Sequence, residues 1–292
     1  MAQSITLFYV ALVFWAGLIA WSAVKGRWMP SIAFGLAMAA VLNSRYITHG
    51  MSGGVAYFVG IFDVPVHIGA NNANVVTTCP GNLCTVSPGA YQTHSSWAVA
   101  FYDRFVGGPP SRVALLYGHI IFNTIALVMA TFGVLYDGYR SRWHKVLGYV
   151  AIVSVSISLL CAGWLTSELG TVDAYARNWT MFGLYFLSLC VLAPVVMGIR
   201  AAARHDLVLH RIWMWRFVGA LWGSYWIFRG EMLLVDLIVR DAPGMALAIP
   251  SWTAGAIGFV IGDLIRRRLD RRGIRSVWKS EPADENAPRV QI

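Results

Sequence analysis

Long apolar runs alternate with short polar loops along most of this chain. A helix needs about 20 apolar residues to cross the ~30 Å hydrocarbon core of a bilayer. The runs therefore predict about seven membrane-spanning helices, at residues 5–24, 31 to about 49, 113–136, 146–164, 181–199, 212–239 and 248–265. A glycine-rich apolar segment at 51–64 is shorter, and counting it as a crossing would break the charge pattern of the later loops. We interpret it as an interfacial or re-entrant segment.

Basic residues are concentrated in the loops that follow alternate spans. They are Lys25 and Arg27, then Arg140, Arg142 and Lys145, then Arg200, Arg204 and Arg211, and finally six arginines between Arg266 and Arg275. Lysine and arginine are enriched in the short cytoplasmic loops of membrane proteins. The pattern therefore predicts an N-terminus outside the membrane and a C-terminus in the cytoplasm.

Composition supports the same class. Of the 292 residues, 57% are hydrophobic and 13% charged, and the mean hydropathy is +0.58. Soluble domains carry about 25% charged residues. We therefore predict an all-α polytopic membrane protein. Because the net charge of +9 lies in the loops and the tail, it sets orientation and does not indicate nucleic-acid binding. The first run lacks the basic start and cleavage site of a signal peptide, so the first helix is expected to be retained.

The spans divide the chain into four regions: N-terminal membrane spans with the possible re-entrant segment (1–64), an external loop (65–111), a helical membrane core (112–268) and a basic, then polar, cytoplasmic tail (269–292). The external loop contains Cys79 and Cys84, with Pro-Gly between them. A disulfide closing this six-residue loop would contribute about 2 kcal/mol. A metal site using both cysteines with His67 or His94 is the alternative. The two remaining cysteines lie inside predicted spans and are interpreted as small apolar residues.

The helix predicted between residues 209 and 240 carries an unusual number of charges. Each would cost roughly 2.5–3.5 kcal/mol at the bilayer centre, so these side chains must face protein, water or the interface. Helical periodicity places Trp222, Tyr225, Arg229 and Asp236 on one stripe and Arg216 nearly opposite. We expect Arg229 to be satisfied by another helix or by a bound acidic or carbonyl-bearing group, with Tyr225 beside it. The charged residues are Arg216, Arg229, Glu231, Asp236 and Arg240.

Two spans each place a histidine on a face of small residues. In one, His119 shares an arc with Asn123, Ala126, Ala130 and Gly133; in the next, His144 shares an arc with Gly148, Ala151, Val155, Ser158 and Ala162. Such faces pack helices closely, or they make room for a flat cofactor whose iron the histidines bind. The predicted topology puts His49 and His119 near the outer face and His144 and His210 near the cytoplasmic face. Two histidine pairs, one per face, are typical of transmembrane di-haem b cytochromes.

Thirteen tryptophans fall into two groups. Those near predicted membrane boundaries are interpreted as interface anchors: Trp21, Trp28, Trp143, Trp164, Trp179 and Trp252. Those inside the charged helix either pack in the core or line a site for a quinone: Trp213, Trp215, Trp222 and Trp226. No phosphate-binding glycine loop, hydrolase elbow or zinc-binding helix occurs in the sequence, so no catalytic residue is assigned.

Three motifs carry a resemblance to a known family. They are His119 near the start of one span, Trp143-His144-Lys145 with Gly148 before the next, and His210-Arg211-x-Trp213-Met214-x-Arg216 opening a later one. Over about residues 112–268, the chain resembles the bacterial predicted membrane proteins catalogued as domain of unknown function 2306. The middle motif departs from the family pattern at Lys145 and Tyr149, where arginines would stand. The resemblance supports the spans and singles out His119, His144, His210, Arg211 and Arg216, but it implies no activity.

Three functions are compatible with these features. The first is a redox subunit that holds b-type haem or quinone among His49, His119, His144 and His210, with an external redox or membrane-complex partner at the 65–111 loop. The second is a non-catalytic scaffold or accessory subunit of a larger membrane complex. The third is a transporter or proton path using Arg229, Glu231 and Asp236. An absorption spectrum separates the first from the other two.

Overall fold

The computed structural model describes residues 2–63, 76–78, 85–86, 96–135, 142–239 and 244–271. Within this part the chain is all-α apart from a small antiparallel hairpin, β1 (Val76–Thr78) with β2 (Thr85–Val86). The α-helices are α1 (Ala2–Lys25), α2 (Met29–Thr48), α3 (Gly50–Phe62), α4 (Ser96–Val106), α5 (Pro110–Leu135), α6 (Arg142–Ser167), α7 (Asn178–Ala203), α8 (Leu207–Trp222), α9 (Phe228–Ile238) and α10 (Met245–Arg271). A π-helical turn, Gly223–Ile227, joins α8 to α9 in one continuous rod.

Each of the seven predicted spans falls on a helix of the described residues, and the predicted all-α membrane class is confirmed, whereas the number of crossings and the orientation of the termini stay predictions. Within the described residues, five helical segments are long and apolar enough to cross a membrane: Ser4–Lys25, Pro110–Leu135, Arg142–Thr171, Asn178–Ala203 and Met245–Arg271. The other two predicted spans are α2 and the rod of α8 and α9. Many large apolar side chains face outwards; Val13, Leu160 and Ile238 are each about three-quarters exposed, at 74%, 76% and 74%. Such a surface fits lipid and not water.

Local sequence signals set several helix ends. Gly26 follows α1 with φ +72°, a left-handed conformation that favours glycine and stops the helix. Pro30 stands in the first turn of α2, where its missing N–H costs nothing. At the start of α8, the Asp206 carboxylate accepts a hydrogen bond of 2.9 Å from the Leu209 N–H.

Four glycines bring the rod and α10 into backbone contact. A Cβ added to Gly219 would lie 2.3 Å from the Gly258 carbonyl oxygen, and one added to Gly223 would lie 2.8 Å from the Gly258 Cα. On α10, a Cβ at Gly262 would lie 2.3 Å from the Trp215 carbonyl oxygen. Both helices thus contribute a Gly-x-x-x-Gly pair, which allows close approach of helices in membranes.

Polar contacts link the π-helical turn to the other side of the bundle. The Tyr225 hydroxyl donates to Asn43 Oδ1 on α2 at 2.9 Å, and Trp222 Nε1 donates to Thr131 Oγ1 on α5 at 2.9 Å. The Trp226 ring packs against Trp15 of α1, with ring centroids 4.8 Å apart. These contacts support core packing for Trp222 and Trp226.

The N-terminal half and the tail differ from expectation in detail. The predicted re-entrant segment is the 13-residue helix α3, whose length of about 20 Å is shorter than the bilayer core. Helix α4 lies inside the region expected to be an external loop and was not predicted. Helix α10 continues to Arg271, so the first residues of the predicted tail are helical. Cys79 and Cys84 lie outside the described residues, and their disulfide stays a prediction.

Candidate functional site

Two cavities lie at opposite ends of the bundle built by α5, α6, α7 and α8. The first, of about 490 Å³, is called the histidine cleft, and its lining includes Gly133, His144, Lys145, Gly148, His210 and Arg211. The second, of about 260 Å³, is called the arginine cavity, and its lining includes Arg104, His119, Ser158, Tyr175, Thr180 and Arg229. The small-residue faces of α5 and α6 line both cavities, one at each end.

In the histidine cleft, the ring of His144 on α6 faces the ring of His210 on α8. Their centroids are 6.4 Å apart and the ring planes are nearly perpendicular, at 77°. His210 Nδ1 lies 2.9 Å from the Gly198 carbonyl oxygen of α7, which orients that ring and leaves its other nitrogen for a second partner. His144 interacts with the backbone of Gly133 on α5. The predicted pairing of His144 with His210 is therefore present in the fold.

The arginine cavity places Arg229 among aromatic rings. Its Nη1 donates to the Tyr225 carbonyl oxygen at 2.6 Å, and its guanidinium carbon lies 3.9 Å from the Tyr225 ring centroid and 5.7 Å from that of Phe58. The buried Nε of Arg229 has no hydrogen-bond partner among the described residues. Arg229 also forms no ion pair with any described carboxylate, and the ring of Phe58 connects it to α3.

A second arginine, Arg104 of α4, borders the same cavity and is almost fully buried, at 6% exposed. Its Nη2 donates to the Leu165 carbonyl oxygen at 2.7 Å and to Glu168 Oε2 at 2.9 Å. Arg112 donates to the same Glu168 oxygen at 2.9 Å. Burial lowers the pKa of Arg104, while Glu168 favours its charged form. One carboxylate thus serves two arginines, Arg104 of α4 and Arg112 of α5.

His119 borders the arginine cavity but does not pair with His49. Its Nδ1 lies 3.0 Å from Ser158 Oγ and 3.2 Å from the Ser158 carbonyl oxygen, which joins α5 to α6. His49 is exposed at the end of α2 and its Nδ1 lies 2.7 Å from Thr48 Oγ1. The expected outer histidine pair is therefore not assembled. Ligand roles for His49 and His119 stay predictions.

A family model described as "Predicted membrane protein (DUF2306)" matches residues 116–265 of the chain. The match covers more than half of the sequence and contains the histidine cleft. The chain belongs to this family. No curated protein and no solved structure matches the chain. The family carries no assigned activity, so function must be inferred from the geometry of the two cavities.

The motif from His210 to Arg216 mainly holds α8 against its neighbours α7 and α10. Arg216 Nε donates to Asp263 on α10 at 3.2 Å and its guanidinium carbon lies 4.7 Å from the Trp213 ring centroid. Arg211 Nη1 donates to Asp270, also on α10. Met214 contacts Gly198, where an added Cβ would lie 2.1 Å from Met214 Cε. Of the motif residues with polar side chains, His210 and Arg211 also line a cavity, whereas Arg216 does not.

The charges of the α8–α9 rod face protein, as the sequence predicts, but they have separate partners. Trp97 Nε1 donates to the buried Asp236 Oδ1 at 3.2 Å, and Thr253 Oγ1 donates to Glu231 Oε2 at 2.6 Å. Arg229 faces the arginine cavity instead. Glu231 and Asp236 therefore have different partners, and the transporter hypothesis stays a prediction. Arg240 lies outside the described residues.

Sequence reasoning missed three residues of the arginine cavity: Arg104, Tyr175 and Thr180. Burial raises the pKa of the Tyr175 hydroxyl, and this hydroxyl, Thr180 Oγ1 and Arg104 Nη1 are all buried without a hydrogen-bond partner in the described part of the chain. A signal did exist for Arg104. It shares helical spacing with Trp97, Phe101 and Phe105, which predicts one buried face.

Proposed function

We propose that this protein is a redox subunit of the bacterial inner membrane that holds one b-type haem between His144 and His210. The observation that carries the proposal is the separation of 6.4 Å between the two imidazole centroids across a cleft. A metal ion bound by both rings needs metal–nitrogen distances of about 2 Å, and with each nitrogen about 1.2 Å from its ring centre the centroids lie about 6–6.5 Å apart. The observed separation is within that range.

The ligand count favours haem over a bare metal ion. The described residues contain no group of three or more His, Cys, Asp or Glu side chains that could hold a metal. Structural zinc requires four protein ligands and catalytic zinc three. Haem brings its own four ring nitrogens, so two axial histidines complete the coordination of its iron. When bound, haem would supply one-electron transfer.

The walls and mouth of the cleft suit a flat, anionic cofactor. Gly133 and Gly148 leave space along α5 and α6, and no atom lies within 4 Å of a Cβ built on Gly148. Lys145 and Arg211 border the same cleft, where they can pair with haem propionates. Arg211 is also held by Asp270, which fixes the position of its charge.

An absorption spectrum of the purified full-length chain, expressed with haem supply, tests the proposal. We expect a Soret band and a reducible α band in the native protein, and loss of both bands in H144A/H210A. The exposed His49 provides the matched control, so H49A should retain the bands. If the native protein shows no bands, or if the double variant keeps them, the proposal is wrong. The ring pair would then be a packing contact between α6 and α8, as expected of a scaffold subunit.

A further inference from the structure

The arginine cavity contains polar atoms that the described protein does not satisfy. Arg104 Nη1, Tyr175 Oη, Thr180 Oγ1 and Arg229 Nε are buried without a hydrogen-bond partner, and all four residues line this cavity. A buried unsatisfied donor costs about 1–3 kcal/mol, and more when charged. Four such groups around one cavity indicate that something else accepts their hydrogen bonds.

The charge around the cavity points to an anion. Among the described lining residues, none is aspartate or glutamate, whereas Arg104 and Arg229 are both present. Glu168 is the carboxylate that Arg104 contacts, and it is shared with Arg112. A neutral ligand would leave the half-buried Arg229 without a carboxylate partner among the described residues. An oxyanion matches both the charge and the donors.

The remaining wall of the cavity points to an apolar tail. Phe58, Phe101 and Phe105 form one side, with centroids of Phe58 and Phe101 5.3 Å apart and those of Phe101 and Phe105 4.9 Å apart. Leucines of α6 and α7 form the other side. At about 260 Å³, the cavity is slightly below the about 300–1,000 Å³ of common small-molecule sites. It fits a small head group and the first part of one chain, not a two-chain lipid.

We infer that the arginine cavity is a binding site for a single-chain carboxylate amphiphile, such as a fatty acid. The carboxylate accepts hydrogen bonds from Arg229 and Arg104, and the hydroxyls of Tyr175 and Thr180 complete its shell. The chain lies against the phenylalanines of α3 and α4. This site is separate from the histidine cleft, and it stands whether or not haem binds there.

Matched twelve-carbon probes test the site. Dodecanoate, dodecanol and dodecyltrimethylammonium share one tail, so differences among them report the head group. With the full-length chain in a maltoside detergent, we expect only dodecanoate to raise the thermal unfolding temperature and to remain bound at one equivalent in native mass spectrometry. Equal effects of dodecanol, or no effect of dodecanoate, would overturn the inference. Preferential binding of phosphatidylglycerol or of a short-chain quinone would also overturn it.

Two variants locate the binding to this cavity. R229Q should weaken dodecanoate binding at least about tenfold, because it removes a charged donor, and R229K should restore part of it. Y175F should weaken binding about tenfold without lowering the unfolding temperature of the ligand-free protein, since the hydroxyl has no hydrogen-bond partner among the described residues. Arg45, which contacts the Tyr57 ring outside the cavity, is the control, and R45Q should bind like the native chain. Unchanged binding in both R229Q and Y175F refutes the site.

Discussion

Among single residues, Asp263 accepts hydrogen bonds from three different arginines. This nearly buried carboxylate on α10 receives Arg216 from α8 at 3.2 Å, Arg266 at 3.2 Å and Arg267 at 2.6 Å. Removing one partner of a buried ion pair leaves uncompensated charge. The arginines here are so close together that the carboxylate also offsets their mutual repulsion.

We therefore predict that Asp263→Asn lowers the free energy of unfolding by about 3 kcal/mol. The control is Asp173→Asn, which breaks the exposed contact between Asp173 and Arg177 and should be nearly silent because solvent screens exposed pairs. Equilibrium unfolding in detergent gives both values. Equal stability of the two variants would show that Asp263 only neutralises a solvated surface.

The sequence predicts which face of the rod carries the polar side chains, but it does not predict which residues they contact. Periodicity placed Tyr225, Arg229 and Asp236 on an inward stripe, and all three do face protein or a cavity. Their partners come from segments distant in sequence: Asn43 for Tyr225, Phe58 for Arg229 and Trp97 for Asp236. A spacing rule within one helix contains no information about which other helix packs against it.

At the scale of helices, the crossing of the α8–α9 rod with α10 depends on glycine. The Gly258 position allows no side chain, because an added Cβ would lie 2.3 Å from the Gly219 carbonyl oxygen. That contact is with backbone, which cannot move away without separating the two helices.

Gly258→Ala should therefore lower the free energy of unfolding by about 1–3 kcal/mol through overpacking. Gly163→Ala on α6 is the matched control, because no heavy atom lies within 4 Å of its built Cβ. This control should be neutral or slightly stabilising, by about 0.5–1 kcal/mol. Thermal unfolding of both variants in one detergent makes the comparison, and a Gly258 variant as stable as the control would contradict the close crossing.

The long apolar helices were predictable because their length and composition are local properties. Helix α4 was not predicted, because its 11 residues are too few to cross a membrane and it lies in a polar, turn-rich part of the sequence. The stripe of Trp97, Phe101, Arg104 and Phe105 is visible only when helical periodicity is applied to this segment. The sequence also contains two Gly-x-x-x-Gly patterns, Gly219 with Gly223 and Gly258 with Gly262. These patterns could have predicted the close contact between the rod and α10.

In the whole molecule, the basic residues at the helix ends lie at the same end of the bundle as the histidine cleft. Lys145 and Arg211 border the histidine cleft at one end, and Arg211 reaches Asp270 near the end of α10. The basic starts of α6 and α8 and the basic end of α10 therefore lie at one end of the bundle, as alternate crossings require. The orientation of that end in the membrane stays a prediction.

A reporter fused after Arg275 should be cytoplasmic, and one inserted near Gly89 should be external, because the basic loops are retained inside. Alkaline phosphatase fusions are active only outside the cytoplasm and green fluorescent protein fusions are fluorescent inside it, so the two reporters test each position independently. The reverse result would place the histidine cleft at the outer face, and any electron donor or acceptor would then have to approach from there.

The proposed function requires His144 and His210 to hold one haem together. Electron paramagnetic resonance of the oxidised, haem-loaded protein reports the ligands, since haem iron held by two histidines would give a low-spin ferric signal. We predict this signal in the native chain and in H49A, and a high-spin signal in H210A, where one axial ligand is missing. A high-spin signal from the native chain, or a low-spin signal that persists in H144A/H210A, would contradict the claim.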